Sequence, residues 1–248
     1  MPLAVLYDIH GNLPALEAVL DEARLAGADE IVVGGDVFPG PMANQCLDLL
    51  RATSLPVCFI RGNGDREVLA ARAGAMSPEI PEQFRPAIQW NADQLRAQDV
   101  EIIRSWPLTL QRSVERVGDV LFCHATPRND TEIFTTATAE AKLLPIFDTL
   151  DVDLVVCGHT HIQFDRVIGR TRVVNAGSVG MPFQDPAAYW LLLDGRVDLR
   201  ATKYDLPAAA SRVRQTAYPQ AEHFAANNIL SAPNATAMIE ALSKAELT

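Results

Sequence analysis

The chain has 248 residues, 48% of them hydrophobic, and a formal net charge of −10. That is enough for one large domain or two small ones with a full core, and the acidic balance argues against long nucleic acid, whose phosphates are normally met by a basic patch. No apolar run reaches the roughly 18 residues of a membrane span, and the start "MPLAVLYDIHGN" lacks the features of a signal peptide, so a cytoplasmic protein with no membrane partner is expected.

Short apolar runs alternate with helical stretches from the beginning. "LAVLYD" at 3–8 reads as a strand, and "LPALEAVLDEARLAG" at 13–27 as a helix closed by Gly27. "EIVVGGD" is followed by "MANQCLDLLRAT", and "VCFIRGN" by "REVLAARAG". In the third case Asn63-Gly64 has the look of a hairpin turn, yet a helix follows it. This alternation predicts mixed sheets covered by helices. Residues 78–106 break the rhythm and read as a helical insertion punctuated by Pro86, with Pro107 just beyond it. Then come "LTLQRSVERV", "DVLFCH", a helix around "ATAEAKLLPIFDTL", and "DLVVCGH". "FDRVIG" with "TRVVNAG" and "AYWLLLD" with "VDLRATKY" read as antiparallel pairs joined by tight turns. Residues 1–206 are expected to carry the main domain, and 207–248 a helical cover within it. Cys46, Cys58, Cys123 and Cys157 form no CxxC pair and are expected as reduced thiols.

The polar residues fall at the ends of five strands. Asp8 and His10 follow "AVLY", Asp36 follows "IVVGG", Asn63 follows "VCFIRG", His124 follows "VLFC", and His159 and His161 follow "LVVCG". Four of the chain's five histidines lie at these ends. In an α/β sheet the carboxyl ends of parallel strands share one edge, where ligands bind. Each residue alone has a plainer use as a turn, cap or hydrogen-bonded strand end; the conjunction points to a metal site. Imidazole, carboxylate and amide without thiolate suit Mn, Fe, Zn, Ni or Co. Seven candidates are too many for one tetrahedral ion and suit two ions sharing a carboxylate, the arrangement that clamps a phosphoester. A neutral amide from Asn63 keeps such a centre net positive for a phosphate.

Asp8-x-His10, Gly35-Asp36, Gly62-Asn63, His124 and Gly158-His159-x-His161 resemble, block by block and in order, the calcineurin-like metallophosphoesterase superfamily. "DIHGN" at 8–12, "HATP" at 124–127 and "NAGSVGMP" at 175–182 resemble a branch of small bacterial and archaeal phosphodiesterases. The resemblance covers the chain to about residue 205. It implies a four-layer α/β/β/α sandwich of two mixed sheets, with two divalent transition-metal ions at the sheet edge, manganese first. By position, one ion takes Asp8, His10, Asp36 and His161, and the other takes Asp36, Asn63, His124 and His159, with Asp36 bridging and metal-activated water as the nucleophile. The implied activity is hydrolysis of a small or activated phosphoester, a phosphodiester above all. A dinucleoside polyphosphate hydrolase is the alternative, ahead of a protein-serine/threonine phosphatase or a binding scaffold like the retromer subunit of this fold. All seven ligand positions are filled, which argues against the scaffold.

The family's usual histidine after the asparagine is absent: Gly64 stands there, followed by Asp65. Asp36, Asn63 and Asp65 are therefore the catalytic candidates. Gly64 is expected to need positive φ. Asn12, Arg61, Arg66 and Arg128 are the substrate-binding candidates, although Asn12 also suits a helix N-cap and the arginines suit solvent. Ser178 reads as a turn former, and His223, in the tail, as a surface residue that would serve as a replacement acid only if the tail folds over the site. The partners are a small phosphoester and, for assembly, a homodimer.

Overall fold

The computed structural model describes residues 1–247. In chain order its elements are β1 (Leu3–Leu6), α1 (Leu13–Leu25), β2 (Glu30–Val33), α2 (Ala43–Ala52), β3 (Val57–Phe59), α3 (Asn63–Arg72), α4 (Arg85–Gln94), α5 (Ala97–Arg104), β4 (Thr109–Val114), β5 (Gly118–Cys123), α6 (Glu140–Phe147), β6 (Leu154–Cys157), β7 (Phe164–Ile168), β8 (Thr171–Asn175), β9 (Ala188–Leu193), β10 (Val197–Thr202), α7 (Leu206–Arg214), α8 (Ala221–Phe224) and α9 (Ala235–Leu242).

The strands form two five-stranded sheets, in the orders β10-β9-β1-β2-β3 and β4-β5-β6-β8-β7. β1 pairs in parallel with β2, Leu3 opposite Glu30, and β2 in parallel with β3. β5, β6 and β8 are parallel neighbours in the other sheet. The hairpins β7–β8 and β9–β10 are antiparallel, as their turn sequences predict. Both sheets are mixed.

Alternation along each strand explains the layering. Val5 and Tyr7 face one way and meet Val120, Phe122, Val156 and Val174 of the other sheet. Ala4 and Leu6 face the opposite way, against Leu16, Val19, Leu20, Leu47 and Leu50 of α1 and α2. Leu121, Val155 and Val173 do the same for the second sheet, packing on Leu143 and Phe147 of α6. A strand buried on both faces must read as a continuous apolar run, and β1, β6 and β9 do.

The insertion folds as a short 3₁₀ turn (Glu82–Phe84), α4 and α5, and α3 packs against both helices. The tail starts at α7, where Asp205 caps by accepting from the Ala208 amide at 2.9 Å. Ala209, Val213 and Phe224 of the tail pack with Met42 and with Ala87 of the insertion, which brings tail and insertion together. All four cysteines are free, and three of them are buried. Among the described residues no helix is long and apolar enough to cross a membrane.

Candidate metal centre

The predicted ligands meet at one edge of the two sheets, where the carboxyl ends of β1, β2, β3, β5 and β6 converge. Five of them hold the left-handed backbone: Asp8 (φ 53°), His10 (45°), Asp36 (54°), His159 (66°) and His161 (58°). This conformation costs a non-glycine residue about 1–2 kcal/mol and persists only where surroundings enforce it. Hydrogen bonds between the loops do so. The Asp8 amide donates to Gly35 O (3.1 Å) and the His10 amide to Asp36 O (2.9 Å). The His159 amide donates to Asp8 Oδ2 at 2.9 Å. Ser178 Oγ donates to Asp8 O (2.8 Å) and accepts from the Met181 amide (2.8 Å), so this hydroxyl is a loop brace.

Each histidine turns one ring nitrogen outward to a backbone carbonyl. His10 Nδ1 reaches Pro39 O (3.2 Å), His124 Nδ1 reaches Gly34 O (2.9 Å), and His161 Nδ1 reaches Met181 O (2.7 Å). His159 uses Nε2, on Thr131 O at 3.1 Å. A carbonyl only accepts, so these nitrogens carry the protons and the other nitrogen of each ring points a lone pair inward. His10 Nε2 and His161 Nε2 then face each other at 3.3 Å. Asp8 Oδ1, fully buried, has no hydrogen-bond partner; the His161 Nε2 beside it, at 3.3 Å, has its proton on the far side of the ring.

Asn63 adds a third case. With its oxygen inward, Oδ1 lies 3.0 Å from His124 Nε2. Turned over, its nitrogen would donate to His124 Nε2 and to His159 Nδ1, each at 3.0 Å. With the oxygen inward, lone pairs of all three residues converge, and only a cation satisfies them. The donor set thus fits metal ions: buried acceptors face one another without a donor. Ligand atoms of Asp8, His10 and His161 form one group, and those of Asp8, Asp36 and His124 a second. Asp36 Oδ2 lies 3.7 Å from His10 Nε2 and 3.5 Å from His124 Nε2, so it reaches one histidine of each group. Asp8 Oδ1 also reaches both groups.

The field inside this cluster is divided. Burial, then the charge of His161, pushes His10 down to about 3; burial, then His124, does the same to His159. Burial opposes charging of His124 and His161 too, but Asp36 and Asp8 respectively outweigh it and both are raised. Burial pushes Asp36 up to about 6. For Asp8, burial is overcome by His161, His124 and His10, which hold the carboxyl below the usual range.

The structure corrects several roles expected outside the ligand set. Asp65 does not reach the cavity. Its oxygens accept from the amides of Asp36 (2.9 Å), Phe38 (3.0 Å) and Gly62 (3.1 Å), tying the strand-two loop to the start of α3. Burial, then the Asp36 charge, pushes it up to about 7. Asn12 is buried and caps α1 by accepting from the Ala15 amide, while its Nδ2 donates to Gly180 O and Tyr204 Oη, so it has nothing left for a substrate. Arg66 is bidentate on Asp130 and also binds Glu67. Arg128 is paired with Glu132. Arg61 is half-buried, and none of the three arginines lines the cavity.

Gly64 does not take positive φ. Its amide instead donates to Asp36 Oδ1 at 2.7 Å, and a Cβ there would fall 2.4 Å from Phe38 O. The loop before α3 therefore orients the Asp36 carboxylate with a backbone N–H and leaves no room for a side chain. Introducing the family's residue, Gly64→His, is expected to lower the melting temperature and the metal content together. A variant with wild-type melting, two ions and faster alkyl-ester cleavage would show that the Phe38–Pro39 loop yields.

Sequence reasoning missed the rest of the cavity. Ile80, Phe84 and Ile88 of the insertion and Tyr218, His223 and Phe224 of the tail complete its walls. His223 is exposed but stands on this wall, so the tail does fold over the site. Glu67 lines it as well; its place four residues after Asn63, one helical turn along the same face, was the signal available.

A sequence model of the calcineurin-like phosphoesterase superfamily domain matches residues 1–196. An uncharacterized protein of Methanocaldococcus jannaschii is 27% identical over 242 residues, covering 88% of this chain and 94% of that one. The crystal structure of a metallophosphoesterase from Sphaerobacter thermophilus superposes with a TM-score of 0.73 at 24% identity, over 92% of this chain and 99% of its own. A hypothetical protein from Pyrococcus horikoshii gives 0.74 at 21% identity, over 90% and 97%. These structures share the fold, and the match over most of the sequence, with the ligand blocks in order along it, means that the chain belongs to the calcineurin-like phosphoesterase superfamily.

Proposed function

We propose that the protein is a dimetal phosphodiesterase acting on a small phosphoester. The observation that carries this reading is the convergence of inward lone pairs from Asn63, His124 and His159 and from His10 and His161 around the unpartnered Asp8 Oδ1. Asp8, His10, Asp36 and His161 would hold one divalent transition-metal ion, and Asp36, Asn63, His124 and His159 the other, with manganese the first choice and iron, zinc, nickel or cobalt suited to the same donors. When bound, the ions supply an activated water and the positive charge that receives the phosphoryl oxygens.

The chain's own residues do the rest. Backbone carbonyls lock each imidazole in one tautomer, so the centre is preorganised. The neutral Asn63 amide leaves the centre more positive than a carboxylate would. The apolar walls around Phe84 and Phe224 offer a surface for the organic part of the ester beside the phosphate. Among the described residues, no lysine or arginine lines this cavity. A polyphosphate chain needs such charges, so a diester with one negative charge fits better than a dinucleoside polyphosphate.

Purified protein reconstituted with manganese is expected to hold close to two ions per chain. Chelation is expected to abolish hydrolysis of bis(para-nitrophenyl) phosphate and to lower the melting temperature, because the converging acceptors lose their common partner. Elemental analysis giving one tightly held ion with full activity would refute the dimetal reading.

A further inference from the structure

Beyond the candidate ligands the cavity, about 380 Å³ in volume, continues between the insertion and the tail. Its far wall is apolar, formed by Ile80, Phe84, Ile88, Met181 and Phe224. Apart from Asp36, one carboxylate reaches the lining: Glu67. It follows Asn63 by four residues on α3, so its Cβ lies about 6 Å further along the same helix face. Arg66 beside it is shared. Nε and Nη2 hold Asp130 at 2.9 and 3.1 Å, and Nη1 binds Glu67 Oε1. One guanidinium facing two carboxylates leaves a net negative charge. The other oxygen of Glu67, Oε2, is buried in this conformation and meets no donor, so the carboxylate must turn toward the cavity to take one. A buried carboxylate oxygen without a partner is costly, and a ligand that brings a proton donor relieves it.

Resting on the phosphodiesterase reading, we propose that the substrate is a phosphodiester with one arm bearing a primary ammonium group, received by Glu67, while the phosphate sits at the metal centre and apolar parts lie on the far wall. The spacing matches an arm of two or three carbons between phosphorus and nitrogen, given one helical turn between Asn63 and Glu67. An anionic arm meets the Glu67 charge with no cation on the wall to offset it. A purely apolar arm fits the walls and leaves Oε2 alone.

The test uses phosphinates, which carry one negative charge and have both organic groups bonded through carbon, so there is no ester to hydrolyse. Binding to the metal-loaded protein is measured by calorimetry for methyl(3-aminopropyl)phosphinate, methyl(n-butyl)phosphinate and methyl(2-carboxyethyl)phosphinate. The aminopropyl ligand is expected to bind about tenfold more tightly than the butyl one, as one charge-assisted hydrogen bond provides, and the carboxyethyl ligand most weakly. Glu67→Gln is expected to close the gap between the aminopropyl and butyl ligands. A butyl or carboxyethyl ligand that binds wild type as tightly as the aminopropyl one would overturn the proposal. So would a preference for the ammonium that survives in Glu67→Gln. Should that variant fail to fold, the order of the three ligands on the wild type decides. The functional reading fails separately, by absence of any phosphoester hydrolysis in protein shown to hold two ions.

Discussion

Asp36→Asn is expected to lower turnover of bis(para-nitrophenyl) phosphate by roughly 10³-fold or more, beyond the about 10–100-fold typical of losing a group that only orients a ligand. Asp36 Oδ2 stands between the two ligand groups and Oδ1 is held by the Gly64 amide. An amide in its place presents one oxygen to two ions, so metal content is expected to fall toward one per chain while the fold stays intact. Asp65→Asn, 29 residues further along the chain, should behave oppositely. Its carboxylate holds three backbone amides, and an asparagine would turn an NH₂ toward donors. That costs about 1–3 kcal/mol of stability, with a smaller loss of turnover as the loop carrying Asp36 loosens. Turnover, metal content and melting temperature measured on both variants separate the two. Equal, mild effects on turnover with two ions retained in each would remove Asp36 from the bridge.

His223→Ala is expected to slow cleavage of alkyl esters by about 10²–10⁴-fold, the usual worth of a general acid, and to leave bis(para-nitrophenyl) phosphate near its wild-type rate. Gly64 removes the family's acid beside Asn63, and from the sequence alone rates should fall steeply as the leaving group's pKa rises. The tail changes that expectation, because His223 stands on the cavity wall. A para-nitrophenolate leaves without a proton; an alkoxide does not. The measurement is a series of aryl and alkyl esters on wild type and variant with metal content checked. A uniform effect across the series, or none, would return His223 to the surface role its exposure allows.

The convergence of the candidate ligands was legible because each residue closes an apolar strand, and a strand end is marked in sequence by the run that stops there. "IVVGGD" and "LVVCGH" announce both the strand and the residue that follows it. The two-sheet layering was legible for the same reason: β1 and β6 are apolar on both faces. The outer shell of the cavity was not. Ile80 comes from a bend and Phe84 and Phe224 from short helices, and their mutual packing depends on contacts more than a hundred residues apart, which no local pattern encodes. Asn12 and Asp65 illustrate a different limit. A polar residue beside a ligand reads as a substrate contact, yet a loop that must hold left-handed residues consumes polar groups in its own bracing. Asn12 is spent on the α1 cap and Gly180, and Asp65 on three amides. Arg66 and Arg128 are drawn off by acids beside them, Asp130 and Glu132, that lie outside any motif.

The five left-handed candidate ligands carry a consequence for how this chain can change over time. At about 1–2 kcal/mol each, they hold on the order of 5–10 kcal/mol, comparable with the whole margin by which a domain stays folded. Glycine relieves that debt at any of the five positions. Drift under selection for thermal endurance alone would therefore run toward erasing the site while improving the scaffold, and a descendant that had lost its chemistry would be the hardier protein. Keeping Asp8, His10, Asp36, His159 and His161 together in one chain requires a continuing demand for what they do.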